Sequence, residues 1–165
     1  MDKREFYQEL SDSLVALLSG EYNLIASLAN TSSLLYARLG NVNWVGFYLV
    51  DGDTLVLGPF QGKIACVRIP IGKGVCGTAV AKNCVQRISD VHAFPGHIAC
   101  DAASNAEIVL PLEINGQIIG VLDIDSTVFD RFDEHDEYGL TVLVSRLCEH
   151  LEQCVVPNYL QQNVT

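Results

Sequence analysis

Basic residues are scarce in this chain. Its 165 residues hold ten Lys and Arg against twenty Asp and Glu, a formal net charge of −10. No Lys/Arg cluster stands out, so the electrostatic footprint of a nucleic-acid binder is absent. An anionic membrane surface would repel the chain for the same reason. Long hydrophobic runs are missing too, and no stretch approaches the length of a membrane span. The start, Met1-Asp2-Lys3-Arg4-Glu5, is charged and lacks the apolar region of a signal peptide. There is no internal repeat, low-complexity tract or linker. These absences lead to the expectation of a soluble, cytoplasmic protein folded as one domain over residues 1–165. A domain of that size buries roughly 70% of its unfolded surface and needs no disulfide to fold. Cysteine, by contrast, is plentiful, with six copies. Where thiols are kept reduced, six cysteines point to catalysis, metal or buried filler rather than a disulfide scaffold.

Hydrophobic periodicity predicts an α+β architecture. Phe6, Leu10, Leu14, Leu17 and Leu18 recur at helical spacing, and Ser19-Gly20 breaks that helix. A second helix is expected from about Glu21 to Leu39, with Gly40 as its C-cap. Asn43 to Val50 reads as a strand, Asp51-Gly52 as a hairpin turn and Thr54 to Leu57 as the return. Ile64 to Ile69 is a third expected strand. Gly72-Lys73-Gly74 opens a short helix near Val75 to Lys82, and Val85 to Ile88 is a short strand. Ser89 to Asn105 is a long irregular stretch. Glu107 to Ile114 and Gln117 to Asp125 flank Asn115-Gly116, the strongest hairpin signal in the chain. Asp133 supplies an N-cap for a last helix carrying Leu140, Leu143, Leu147 and Leu151. Helices at both ends around a central antiparallel sheet are the predicted arrangement.

Strand alternation places unusual side chains together. On the first strand Trp44 and Tyr48 share a face, with Gly46 between them, and Val45, Phe47 and Leu49 take the other. The two aromatics are either ordinary core or the wall of a gap in which a ligand rests. Ile119, Val121, Asp123 and Asp125 share one face of the last strand, while Ile118, Gly120, Leu122 and Ile124 share the other. Both faces are apolar for most of the strand, so both are covered. Asp123 and Asp125 then either emerge into solvent as loop acids or form a cavity floor that binds a cation. A simple two-residue turn at Asn115-Gly116 pairs Ile108 with Asp123 and turns Glu107 away. A one-residue bulge near Pro111 would turn Glu107 toward the aspartates, and that bulge is expected.

Cys66, Cys76 and Cys100 lie just ahead of this acidic pair of strands. Cys148 and Cys154 fall in the last helix as filler, and Cys84 sits at a turn. Cys76 starts a helix behind a glycine-rich turn, where the helix dipole can lower a thiol pKa. Cys100 lies in the long irregular stretch, where a substrate can reach it. Thiols beside misplaced carboxylates suggest a pocket doing redox chemistry on something small and positively charged. A zinc site of His97, Cys100 and Cys66 or Cys76 has little support, because no C-x-x-C pair is present. No metal and no cofactor are expected.

Four runs carry a family resemblance. They are Trp44-Val45-Gly46-Phe47-Tyr48, Pro70-Ile71-Gly72-Lys73-Gly74-Val75-Cys76-Gly77, His97-Ile98-Ala99-Cys100-Asp101 and Gly120-Val121-Leu122-Asp123-Ile124-Asp125-Ser126. Together they resemble the GAF-domain family of free methionine-(R)-sulfoxide reductases over nearly the whole chain. The resemblance implies a GAF-like central antiparallel sheet flanked by N- and C-terminal helices, commonly in a homodimer. It implies reduction of free methionine sulfoxide, with thioredoxin restoring the thiols. By position it makes Cys100 the attacking thiol, Cys66 the main resolving thiol and Cys76 an auxiliary one. Trp44, Tyr48, Glu107, Asp123 and Asp125 would line the pocket. The alternative is a GAF sensor module that binds a small ligand without chemistry. Such a module usually sits beside an output domain, and this chain ends soon after its last helix.

Overall fold

The computed structural model describes residues 1–98 and 102–154. Helix starts follow the caps written into the sequence. Asp2 accepts from the Glu5 backbone N–H to open α1 (Lys3–Leu18), and Asn23 accepts from Ala26 to open α2 (Leu24–Arg38). Asp133 opens α4 (Glu134–Leu151) with a full capping box to Asp136. These side chains satisfy donors that a helix leaves without partners. Between α2 and α4 lie β1 (Trp44–Asp51), β2 (Thr54–Gly62), β3 (Arg68–Pro70), α3 (Gly74–Lys82), β4 (Gln86–Ile88), β5 (Ala106–Ile114) and β6 (Gln117–Ser126). The six strands form one antiparallel sheet in the order β3-β2-β1-β6-β5-β4. The expected α+β arrangement is what the chain adopts.

Two apolar layers cover the sheet. Val45 and Phe47 of β1, Ile108, Leu110 and Leu112 of β5, and Leu122 and Ile124 of β6 pack against α1, α2 and α4. Trp44 and Tyr48 of β1, Val109 of β5 and Val121 of β6 pack on the opposite face with Val75, Cys76 and Ala79 of α3. The period-2 reading of β1 and of residues 121–124 is therefore met on both faces. The functional residues sit on the α3 side, and the larger core lies on the other.

Three sequence expectations are corrected. The third strand is Arg68–Pro70 rather than Ile64 to Ile69, and Ile64 is 91% exposed. Residues 63–67 lie outside the strands, with the Lys63 and Cys66 carbonyls held by side chains of β1 and the Val67 carbonyl by the Leu57 N–H. The first hairpin turns at Gly52-Asp53, since Asp51 pairs with Thr54. β2 continues through Pro59 to Gly62 rather than stopping at Leu57.

One polar cluster fastens α1 to α4 behind the sheet. Buried Asp136 accepts from the Tyr7 hydroxyl at 2.7 Å and from Lys3 Nζ at 2.7 Å, and Arg131 approaches it at 3.4 Å. Gly139 makes room for this contact, because a Cβ there would lie 2.3 Å from the Tyr7 ring. Asp136→Ala removes the shared acceptor and leaves buried donors unpaired. The expected cost is about 2–3 kcal/mol. A thermal melt should show Tm lowered by roughly 5–10 °C.

Candidate active site

The pocket floor is built by the β5–β6 register. Ile114 pairs with Gln117 and Glu113 with Ile118, but Leu112 pairs with Gly120. The extra residue is Ile119, so the bulge falls one step from Pro111 and on the facing strand. Ile119 consequently packs against the helix-covered core rather than sharing the face of Val121. Beyond the bulge Glu107 stands opposite Asp125, and Val109 stands opposite Asp123. Glu107, Asp123 and Asp125 thus reach one face, as the sequence reading expects. Asp123 and Asp125 are not loop acids, since both lie within β6, Asp123 buried at 5% exposure and Asp125 half-buried, and Glu107 is 6% exposed.

Cys76 closes this floor from above, 4% exposed on the first turn of α3. Burial raises the Glu107 carboxyl well above the usual carboxylate range, and the charges of Asp123 and Asp125 add to it. Burial also raises Asp123, while the neighbouring Glu107 and Cys76 act the other way. Burial and mutual repulsion thus favour one proton shared by the Glu107–Asp123 pair. The Cys76 thiol is raised well above its ordinary value by burial, then by Asp123, Glu107 and Asp125. The expectation of a thiol activated by the helix dipole is overturned here. Three carboxyl groups and the loss of water outweigh one short helix end.

Trp44 and Tyr48 form the wall. Their rings are 5.9 Å apart and stacked, and Phe60 stacks on Trp44 at 5.2 Å. Of the two readings of Trp44 and Tyr48, ordinary core holds over Gly46, where the space is filled. A Cβ there would lie 2.3 Å from Phe60 Cβ and 2.7 Å from the Trp44 ring. Glycine is needed because these two aromatics already lie across its Cα.

Both wall residues also hold the segment carrying Cys66. Trp44 Nε1 donates to the Lys63 carbonyl at 3.1 Å, and Tyr48 Oη donates to the Cys66 carbonyl at 2.9 Å. Burial pushes the Tyr48 hydroxyl far up, and the Asp123 charge adds to it, so Tyr48 remains a donor. Cys66 is disulfide-bonded, whereas Cys76, Cys84, Cys148 and Cys154 are free. Cys100 lies outside the described residues, as does the zinc ligand pair that includes it.

The cavity therefore brings together Trp44, Tyr48, Cys76, Glu107, Asp123 and Asp125, with Ala65 and Ile64 at the edge nearest Cys66. Sequence reading missed Ile98 and Ser104, which also line it, and took His97 only as a zinc ligand. All three come from the long stretch before β5, whose irregular backbone gives no periodic signal. Burial holds the His97 imidazole below its ordinary pKa, and His92 adds to that. Chemically, the cavity offers a proton on the Glu107–Asp123 pair, negative charge for a cation, apolar rings for an alkyl group and a disulfide-bonded sulfur beside its edge.

The GAF domain family model matches residues 23–153. The chain is 69% identical over 147 residues to the free methionine-R-sulfoxide reductase of Escherichia coli, covering 89% of each chain. The crystal structure of free methionine-R-sulfoxide reductase from Neisseria meningitidis in complex with its substrate superposes with a TM-score of 0.89. It is 46% identical, with 93% of this chain and 92% of that chain covered. The structure of the Staphylococcus aureus protein in complex with substrate gives a TM-score of 0.84 at 50% identity, covering 88% and 95% of the two chains. On this evidence the chain belongs to the GAF-domain family of free methionine-R-sulfoxide reductases.

Proposed function

We propose that this protein reduces free L-methionine (R)-sulfoxide to methionine. The observation that carries the reading is buried Glu107 and Asp123 with half-buried Asp125 on one pocket floor beside cysteine sulfur, in a family whose substrate is a free amino acid. The substrate ammonium is the cation that Asp123 and Asp125 bind. Trp44 packs on the S-methyl group. Glu107, its carboxyl raised by burial, delivers its proton to the sulfoxide oxygen.

The Cys100 thiolate attacks the substrate sulfur. Methionine departs as the oxygen passes to Cys100, which becomes a sulfenic acid. The Cys66 thiol then condenses with that group, releasing water and forming a disulfide. Thioredoxin reduces this disulfide by dithiol exchange. Two thiol hydrogens and the sulfoxide oxygen leave as one water, so atoms and electrons balance. The disulfide-bonded state of Cys66 supports its role as resolving thiol. Cys76 remains auxiliary, since its proton is held against Asp123. Three carboxyl groups oppose a preformed Cys100 thiolate, so the incoming ammonium and proton transfer activate it.

The protein is further proposed to work in the cytoplasm as a homodimer. Exposed Val15 and Leu17 on α1 and Tyr138 and Val142 on α4 support an apolar contact between copies. No helix among the described residues is long and apolar enough to cross a membrane.

A dithiothreitol-driven assay on the two sulfur epimers of free methionine sulfoxide tests the activity. The R epimer should be consumed and the S epimer left. Equal consumption of both, or of neither, overturns the assignment.

A further inference from the structure

We propose that the pocket floor is also a binding site for a thiophilic divalent cation, zinc above all, held by Cys76, Glu107 and Asp123 and excluding the amino-acid substrate. The Cys76 Sγ and one carboxylate oxygen from each acid all lie within 4.8 Å of one another, and all three residues are buried. Zn–S and Zn–O bonds of about 2.3 Å and 2.0–2.2 Å bridge such a group with small side-chain adjustments. One sulfur and two oxygens leave a fourth position open, as in zinc sites that retain a water. The cavity encloses about 50 Å³, room for an ion and a few waters.

A second observation points to a ligand. Asp123 Oδ1 is buried with no hydrogen-bond partner, and its side chain lines the cavity. A buried acceptor left without a donor costs about 1–3 kcal/mol, and a cation supplies what is missing. The ligands are also fixed in place. Cys76 rides on α3, while Glu107 and Asp123 stand on two paired central strands. The ion displaces the protons of the Cys76 thiol and the Glu107 carboxyl, as zinc does on binding such groups.

This set differs from the His97 and Cys100 pairing considered from sequence. It also leaves Cys66 uninvolved. Cys76 stays free while Cys66 is disulfide-bonded, so the site persists in the oxidised protein. Exclusion of substrate rests on the functional reading above, because Glu107 and Asp123 serve the substrate there. Metal binding itself does not depend on that reading.

Cobalt(II) serves as the probe, added to the oxidised full chain. One equivalent should bind and give a thiolate-to-cobalt charge-transfer band, which zinc then bleaches. Cys76→Ser should abolish the band, and Cys84→Ser should leave it intact. Glu107→Gln and Asp123→Asn should each weaken cobalt binding at least about tenfold, the worth of one charged ligand contact. They also keep the test open if Cys76→Ser melts before assay. Absence of a band, or its persistence in Cys76→Ser, overturns the site. Free methionine sulfoxide should raise the apparent cobalt Kd. If cobalt binds Cys76 but methionine sulfoxide leaves its Kd unchanged, the exclusion claim fails along with the placement of substrate on this floor. If turnover is intact and no cobalt binds, the metal inference alone is lost.

Discussion

Cys100→Ser should release no methionine in a single turnover, whereas Cys66→Ser should release about one equivalent and stop. The proposed scheme gives the two thiols different steps, and the environment of the other cysteines supports that division. Cys148 and Cys154 lie with the helix-covered core, on the other face of the sheet. Cys84 is exposed at the end of α3, bonded through its sulfur to Gln86 at 3.2 Å. Cys76 reaches the cavity but is buried with a strongly raised pKa, and thiols in that condition are poor nucleophiles. The proposed scheme therefore assigns attack to Cys100. Loss of Cys66 leaves attack intact but strands the sulfenic acid when only a protein dithiol is supplied. Methionine release per enzyme, measured by rapid quench, separates the two variants, and a sulfenic-acid trap should label only Cys66→Ser. An equal burst from Cys100→Ser and the unsubstituted protein would remove Cys100 from the scheme. Cys76→Ser should retain the burst.

How much of this was legible in sequence differs from residue to residue. Trp44 and Tyr48 fell on the correct face because alternation along a strand is a local property. Asp123 and Asp125 stood out because they extend an apolar face. Glu107 joined them only if a bulge intervened, and Pro111 announced one. The chain nevertheless places the extra residue at Ile119 on the facing strand. Nothing local decides which strand of a hairpin takes the insertion, since that depends on where Ile119 finds apolar contact. Whether the space over Gly46 was gap or core stayed open in sequence for a related reason. Phe60 fills it from a neighbouring strand, and the contact requires β2 to run past Pro59. Residues 64–67 read as strand because they are apolar, with β-branched Ile64 and Val67. The Tyr48 and Trp44 hydrogen bonds hold the Cys66 and Lys63 carbonyls instead. The raised pKa of Cys76 needed three acids that lie well beyond it in sequence.

Neutralising the floor should improve stability and damage function together. Glu107 and Asp123 have raised pKa values in the folded protein. The unfolded chain therefore gives up these protons at lower pH than the folded chain does. Stability falls as pH rises above the ordinary carboxylate range of about 4 and continues to fall until the folded groups ionise. Glu107→Gln removes part of that penalty, so it should melt higher at pH 7, by about 2–4 °C for each kcal/mol recovered. The gain should vanish near pH 4. Turnover of the same variant should drop about 10²–10⁴-fold, the usual worth of a positioned proton donor. Stability given up at a working site follows the general trade-off between the two.

Asp125→Asn isolates the charge that meets the substrate. Weakening of the ammonium contact should cost about 1.5–3 kcal/mol, or roughly ten- to a hundredfold in binding. An N-acetylated methionine sulfoxide carries no ammonium and never makes that contact. The decisive measurement is kcat/KM for the free and the N-acetylated R epimer, taken on the unsubstituted protein and on Asp125→Asn, Asp123→Asn and Glu107→Gln. The account predicts that the preference for free substrate collapses by roughly ten- to a hundredfold when Asp125 or Asp123 loses its charge. If that preference is unchanged in all three variants, the buried acids are not the ammonium site, and the central claim is contradicted.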